Sequence, residues 1–370
     1  MKLDGRDMNA VAVCPACAKT DLQSQFSVSA SQAAQSIVLP SGDPDRNQRL
    51  ETHIRFLWGT DRCEILKCRN CGFGFSHPFV AGDADFYNLA NSDVSYPQAK
   101  WEFTRTIEAL RRSRRPKASV LEVGAGDGFF LDMLGAESIE ASNITAVEYN
   151  TKSIRNLESR GYRTIASDIR EKPFDAYQSA FDFIFLFQVV EHMSGLDDLF
   201  DRLHYLLKPG GAVFIAVPNP RRIEYQEAHA SVLDMPPNHV GRWTPRAFSE
   251  LSTRHGLRVV ASEIEPMDWV EFLEHDISYS HIRRTQLKPD GIPARIRSLP
   301  RGKFRRLAEA AAAAAYIPSR LGSWAAAYRD RQNMGGSLWV QLERDPAHEP
   351  PGASPRHDHA SALADSVTAN

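Results

Sequence analysis

The sequence predicts an α/β fold, a parallel sheet with crossover helices behind a small cysteine-bearing N-terminal module. Three observations carry this. From Ser119 onward short apolar runs alternate with helix-length amphipathic segments. The first of those runs opens directly into the turn Gly124-Ala125-Gly126-Asp127-Gly128, and every cysteine precedes residue 72.

Residues 1–95 hold the pairs Cys14-x2-Cys17 and Cys68-x2-Cys71, a polar Ser/Gln/Ala stretch from Gln23 to Ser36, and a loop-like segment from Pro40 to Asn47. A small module with little core of its own is expected there. A second domain, 96–344, opens with a helix over 100–110 that places Trp101, Phe103 and Ile107 on one face, followed by a basic run, Arg111 to Lys117, expected to face water. Strands then fall at 119–123, 144–148, 163–166 and 181–187, with helices at 129–134 and 152–159 between the first three. Alternation at this spacing means a parallel sheet with crossover helices. Phe181 to Phe187 is apolar almost throughout, as in a strand covered on both faces. A helix over 196–207, a turn Lys208-Pro209-Gly210-Gly211 and a strand over 212–217 follow. Beyond a polar loop over 218–243, a helix capped at Thr244-Pro245 runs to residue 255, and a strand over 257–264 finds its antiparallel partner at 337–342. Between those two lies an insertion, 265–336, with an alanine-rich helix around 308–316. Residues 345–370 are rich in Pro, Ala, Ser and His, and disorder is expected.

The 370 residues carry 44 Lys and Arg against 46 Asp and Glu, a balance that gives no whole-chain reason to expect nucleic acid or an anionic membrane as partner. No apolar run approaches about 18 residues, and the N-terminal MKLDGRDMNA lacks the charged-then-apolar pattern of a signal peptide, so a soluble, cytoplasmic protein is expected. In that setting paired cysteines favour a metal over disulfides. Two CxxC knuckles, Cys14 with Cys17 and Cys68 with Cys71, offer the four thiolates of a closed structural zinc site, which is expected here over free thiols. Cys63, left over, is most simply a buried apolar residue.

Open parallel sheets bind ligands at the carboxyl ends of their strands. At the first end the glycine turn allows a tight bend and close ligand approach. Glu122 and Asp127 beside it would repel a pyrophosphate, so the loop points to a neutral or cationic ligand. Glu148 ends the second strand, about twenty residues on, where a carboxylate can accept both hydrogens of a ribose diol. After the third strand, Asp168 could accept from an exocyclic amine while Ile169 packs on an aromatic base. The fourth ends in Gln188-Val189-Val190-Glu191-His192-Met193, polar groups beside an apolar wall. Singly, Glu148 reads as a capping acid and His192 as a packed histidine; together the four ends converge on one nucleoside-shaped ligand.

These segments, LEVGAGDGFF, the acid of AVEYN, SDI, FDFIFLFQVVEHM and LLKPGGAVFIAVPN, resemble class I S-adenosylmethionine-dependent methyltransferases over roughly Val120 to Ile264, with a closing strand near Trp339. The resemblance implies a Rossmann-like seven-stranded sheet. It further implies that Gly124, Gly126 and Gly128 admit the methionine portion of the cofactor, with Glu122 and Ala125 in the same set, that Glu148 binds ribose, that Asp168 and Ile169 meet adenine, and that Gln188 lines the methyl-donor side. A sulfonium cofactor also explains the acids.

The N-terminal CPAC and CRNCGFGF resemble the zinc module preceding the catalytic domain in many bacterial methyltransferases that act on sugars or natural products. That resemblance implies a small-molecule acceptor, a sugar or secondary metabolite, methylated at oxygen or nitrogen. His239, in the proline-stiffened loop from Asp234 to Trp243, arrives over the site from the fifth strand and titrates near neutrality. It is the first choice of general base, with His192 the alternative; the blander reading is that His239 orders the loop. Competing functions are carbon methylation of a nucleotide-linked sugar, with Arg221, Arg222 and Tyr225 near an anionic acceptor, RNA methylation through the basic run 283–306, a NAD-dependent oxidoreductase, and a non-catalytic scaffold. The basic run lacks interleaved aromatics, so a solvated face or oligomer contact is expected there before nucleic acid.

Overall fold

The computed structural model describes residues 12–40, 42–90, 98–115, 117–229, 234–277 and 291–348. Its N-terminal part begins with β1 (Leu22–Ser29), α1 (Ala30–Ile37), α2 (Pro44–Trp58), β2 (Arg62–Cys68), β3 (Gly74–His77) and α3 (Ala84–Ala90). The polar stretch from Gln23 to Ser36 is therefore a strand running into a helix. A capping box starts that helix: Ser29 Oγ accepts from the Gln32 N–H, and the Gln32 side chain accepts from the Ser29 N–H. The segment expected as a loop from Pro40 to Asn47 contains the start of α2, where Asp43 caps the helix and Pro44 fills its first turn. The expectation of little core is also corrected. Val28, Ala33, Ala34, Leu50, Ile54, Trp58, Phe86 and Met235 form an apolar cluster of their own.

The larger part continues through α4 (Trp101–Ser113), β4 (Val120–Val123), α5 (Phe129–Ala136), β5 (Ile144–Val147), α6 (Thr151–Ser159), β6 (Arg163–Ile165), β7 (Phe181–Phe187), α7 (Leu196–Leu206), β8 (Leu207–Pro218) and α8 (Pro220–Ala228). After these come β9 (Gly241–Arg242), α9 (Pro245–Arg254), β10 (Leu257–Ile264), the long helix Lys303–Arg329 and β11 (Ser337–Arg344). Seven strands form one sheet in the order β10-β11-β8-β7-β4-β5-β6, as the α/β expectation required. The neighbours from β8 to β6 run parallel, while β11 lies antiparallel between β8 and β10. Strand order reverses between β4 and β7, which makes that crevice the switch point where such sheets bind ligands. Phe130 packs edge-on against Phe185 and Phe187 of β7, with ring centroids 4.8 Å apart in each case. Each phenyl buried this way contributes about 1.5–3 kcal/mol.

Three differences from the sequence reading concern local backbone. Lys208 to Gly211 is not a turn before the strand but a bulge within β8, because Phe181 pairs with Leu207 and Phe183 with Ala212. The loop over 218–243 contains α8, capped by Asn219 with Pro220 in its first turn, and β9. Arg111 to Ser113 extend α4 by a turn, where Arg111 pairs with Glu137 at 2.7 Å. Residues 283–290 of the basic run and 349–370 of the tail lie outside the described residues. Of the remainder of that run, Arg305 pairs with Glu309 at 2.8 Å.

A second sheet, order β1-β2-β3-β9, joins the two parts. Its fourth strand comes from the loop after β8: Phe75 pairs with Gly241 and Gly74 with Arg242.

Candidate active site and cysteine cluster

At the end of β4 the backbone passes through Gly124, Gly126 and Gly128 at φ of 74°, 52° and 77°. This is left-handed backbone that glycine adopts without penalty. A Cβ on Gly124 would lie 2.7 Å from Val189 Cγ2, and one on Gly128 2.5 Å from Leu157 Cδ2. The N–H groups of the loop, however, are engaged internally. Gly124 and Ala125 donate to the Val147 carbonyl at 2.9 and 3.1 Å, Gly128 to that of Ala125 at 2.9 Å, and Gly126 to Glu148 Oε2 at 2.7 Å. The glycines thus allow tight packing and close approach rather than a row of donors for a ligand.

Glu148 is buried, and its Oε1 accepts from the N–H groups of Tyr149 and Asn150 at 2.8 Å each. With Gly126 that makes three backbone donors fixing one carboxylate. The two acids of the glycine segment divide. Asp127 accepts from Ser153 Oγ at 2.9 Å and ties the loop to α6. Glu122 is buried with an Oε2 that has no partner among the described residues. Burial, together with repulsion from Glu148 and against the pull of Lys100, holds its carboxyl well above the usual range.

Asp168 is gripped by Arg170, which reaches Oδ1 with Nε at 2.8 Å and Oδ2 with Nη2 at 2.5 Å. Burial opposes its charge, but these bonds hold the carboxyl below its usual value. Ile169 is buried in the core. Gln188 has a positive φ of 58° and donates through Nε2 to Glu102 Oε1 at 3.2 Å. Since β7, β4, β5 and β6 are successive neighbours in the sheet, Gln188, the glycine turn, Glu148 and Asp168 line one edge.

The segment after β7 packs against the loop carrying His239. Val240 N–H donates to the Glu191 carbonyl at 2.8 Å, and Ser76 N–H to the Val240 carbonyl at 3.0 Å, so the loop is fixed on both flanks. The His192 and His239 rings meet edge to face, centroids 4.6 Å apart. His239 Nδ1 lies 2.7 Å from Asp234 Oδ1, and His192 Nδ1 lies 2.8 Å from the Asn238 carbonyl. A carbonyl and an ionised carboxylate only accept, so both Nδ1 atoms carry hydrogen and a neutral ring keeps its lone pair at Nε2. Burial and the neighbouring His239 push His192 down to about 3. His239 is also penalised by burial, yet the Asp234 hydrogen bond and the charges of Asp234 and Glu191 lift it above the ordinary histidine value.

Three residues of this wall were not singled out from sequence. Glu191 is 1% exposed, neither of its oxygens has a hydrogen-bond partner among the described residues, His192 Nε2 lies 3.9 Å from its Oε1, and burial pushes its carboxyl up to about 7. Tyr87 of α3 brings a buried hydroxyl with no hydrogen-bond partner among the described residues, its ring 6.2 Å from that of His192. Asp234 orients His239, and the acid five residues before the histidine was the available signal. Arg221 and Arg222 serve the insertion instead: Arg221 pairs with Asp330 at 2.9 Å and Arg222 lies over the Phe272 ring at 4.2 Å. Tyr225 Oη accepts from Arg320 at 2.9 Å.

In the N-terminal part Cys14 Sγ lies 3.6 Å from Cys71 Sγ and Cys17 Sγ 3.5 Å from Cys68 Sγ, and all four sulfurs lie within 4.8 Å of one another. A tetrahedron with zinc–sulfur bonds of about 2.3 Å has edges of about 3.8 Å. The four thiols fit that set, and all are buried. Cys63 lies apart in the N-terminal core, its thiol pushed up to about 12 by burial.

Residues 98–262 match the family described as methyltransferase domain. The chain is 29% identical over 113 residues to the mitochondrial ubiquinone biosynthesis O-methyltransferase of Mus musculus, covering 29% of this chain and 30% of that protein. It is 26% identical over 147 residues to the biotin biosynthesis bifunctional protein BioHC of Cellvibrio japonicus, covering 39% of this chain and 28% of that protein. The chain thus spans about three tenths of the length of these curated relatives. Among solved structures, a SAM-dependent methyltransferase from Archaeoglobus fulgidus matches with TM-score 0.41 and 17% identity, covering 66% of this chain and 94% of that one. No helix among the described residues is long and apolar enough to cross a membrane.

Proposed function

We propose that this chain, whose residues 98–262 match a methyltransferase domain, uses S-adenosylmethionine to methylate a small-molecule acceptor, a sugar or secondary metabolite, at oxygen or nitrogen, in the cytoplasm. The name of the mouse relative favours oxygen. The reading is supported by the glycine turn and Glu148 at the ends of the neighbouring strands β4 and β5, and by a buried His239 whose Nδ1–H donates to Asp234, so that a neutral ring keeps its lone pair at Nε2. When bound, the cofactor supplies an electrophilic methyl group on a sulfonium.

Glu148, fixed by three N–H groups, retains acceptor capacity for the ribose diol. Gly124, Ala125, Gly126 and Gly128 give the methionine portion room, with Glu122 opposite its positive charge. Asp168 and Ile169 bound the adenine, and Gln188 the methyl side. His239 takes the acceptor's proton at Nε2 while Asp234 keeps the ring oriented; His192 is the alternative base. Cys14, Cys17, Cys68 and Cys71 hold a structural zinc, which keeps β3 in place to pair with β9 beside His239.

The test is calorimetry with S-adenosylhomocysteine and NAD, together with transfer of labelled methyl from S-adenosylmethionine into a small-molecule extract. Homocysteine-analogue binding and label in the low-mass fraction are expected. His239→Gln should cut incorporation by about 10²–10⁴-fold with cofactor affinity held. Binding of NAD without the homocysteine analogue sinks the proposal.

A further inference from the structure

Methyl transfer relocates a positive charge. The acceptor's O–H or N–H bond breaks and its proton passes to Nε2 of His239; the methyl group bonds to the acceptor atom, and sulfur keeps the electron pair of the bond it loses. A sulfonium is consumed and an imidazolium is created in a largely desolvated wall. Asp234 faces that new charge from the Nδ1 side at 2.7 Å.

Glu191 approaches the same ring from the single helical turn Val190–His192 that follows β7. Its carboxylate lacks any hydrogen-bond partner among the described residues, although it is 1% exposed. One polar atom from each of Glu191, His192 and His239 lies within 4.8 Å of the others. Burying a bare carboxylate is unfavourable unless a charge comes to meet it. Packing alone would favour a neutral side chain at this position.

We propose that Glu191 is a positioning residue for the transfer, the countercharge that lets His239 keep the proton it takes from the acceptor. This rests on His239 being the base. The other groups around the pair fit that role. His192 stays neutral and does not compete for the proton. Arg242, which opposes charge on His239, is compensated by Glu227 at 2.7 Å. Lys100 favours the ionised form of Glu191, and Asp234 opposes it. Tyr87 offers a neutral hydroxyl from α3, and its own ionisation is disfavoured by burial and by Glu191. Glu191 and His239 therefore titrate as a linked pair, the negative charge of one favouring the positive charge of the other.

The experiment follows the His239 Cε1–H resonance against pH in the full zinc-loaded chain with S-adenosylhomocysteine bound, assigned by its loss in His239→Gln. The midpoint is expected above that of an ordinary histidine. Glu191→Gln should lower it by about one pH unit, Glu191→Asp by less, and Asp234→Asn by more. Unchanged cofactor affinity and circular dichroism certify the fold of each variant. An identical midpoint in Glu191→Gln and the parent overturns the proposal. So does a ring that ignores pH and shifts only on added divalent cation. If His239→Gln transfers methyl groups normally, the base reading falls and this proposal with it. If His239→Gln is inactive while Glu191→Gln leaves the midpoint in place, only the role of Glu191 is lost.

Discussion

Glu148 and Glu191 both stand where a parallel strand ends, β5 and β7, and both are buried. The first accepts three backbone N–H groups; the second accepts nothing among the described residues. The contrast separates the cofactor side from the surroundings of His239. On the cofactor side, backbone donors orient the acid before any ligand arrives, which lowers the cost of binding. Around His239 the acid has no hydrogen-bond partner among the described residues, and under the proposal above its interaction is completed only when charge develops opposite it, the arrangement that favours a reacting state over a resting one.

The strongest way to break that contrast is through the four-cysteine cluster, proposed above to hold zinc, since β3 and β9 tie the loop carrying His239 to it. Replacing Cys68 and Cys71 together by serine should remove about one zinc per chain by metal analysis, a site of the kind that supplies about 10–16 kcal/mol of apparent binding energy. Methyl transfer should vanish while S-adenosylhomocysteine affinity changes only a few-fold. Equal loss of both would show that the two sides are not separable. A smaller effect belongs to the cofactor side: Glu148→Ala should weaken the homocysteine analogue by about 10–100-fold in calorimetry, leaving the His239 midpoint where it was.

The smallest effect is on stability. Glu191 titrates near 7 in the folded chain against an ordinary 4.5, so the folded form holds a proton that the unfolded chain has released. Stability therefore falls as pH rises through that window. Glu191→Gln should escape this loss and be more stable than the parent by about 1–2 kcal/mol at pH 8, with little difference at pH 4, in thermal melts. Equal melting curves at pH 8 would mean that the bare carboxylate costs the fold nothing.

The large sheet was legible because strands buried on both faces are apolar runs separated by turn and helix signals, as in Phe181 to Phe187. Helix α1 was hidden for the opposite reason. Its buried face is Ala30, Ala33 and Ala34, side chains too small to stand out among serines and glutamines. Helix α2 did carry its signal, Asp43-Pro44 before it and Gly59 after it, yet its surroundings read as loop. Two residues are too few for β9 to show any period. In the candidate site, His192 and His239 stood out by residue type, while Tyr87 enters from α3 and becomes relevant only once the N-terminal part has docked. A long-range contact of that kind leaves no local pattern to read.

The pairing of β3 with β9 also orders events at the ribosome. Thr244 Oγ1 donates to the Cys71 carbonyl across 173 residues of sequence, and the strand before it supplies the last edge of the N-terminal sheet. At about 5–20 residues per second, that edge stays open for roughly 10–35 s of synthesis. Edge strands left unpaired invite association with other chains. A nascent chain of this protein thus has an interval in which its cysteine knuckles are already exported but their sheet is unfinished, and early metal capture or chaperone cover would protect it.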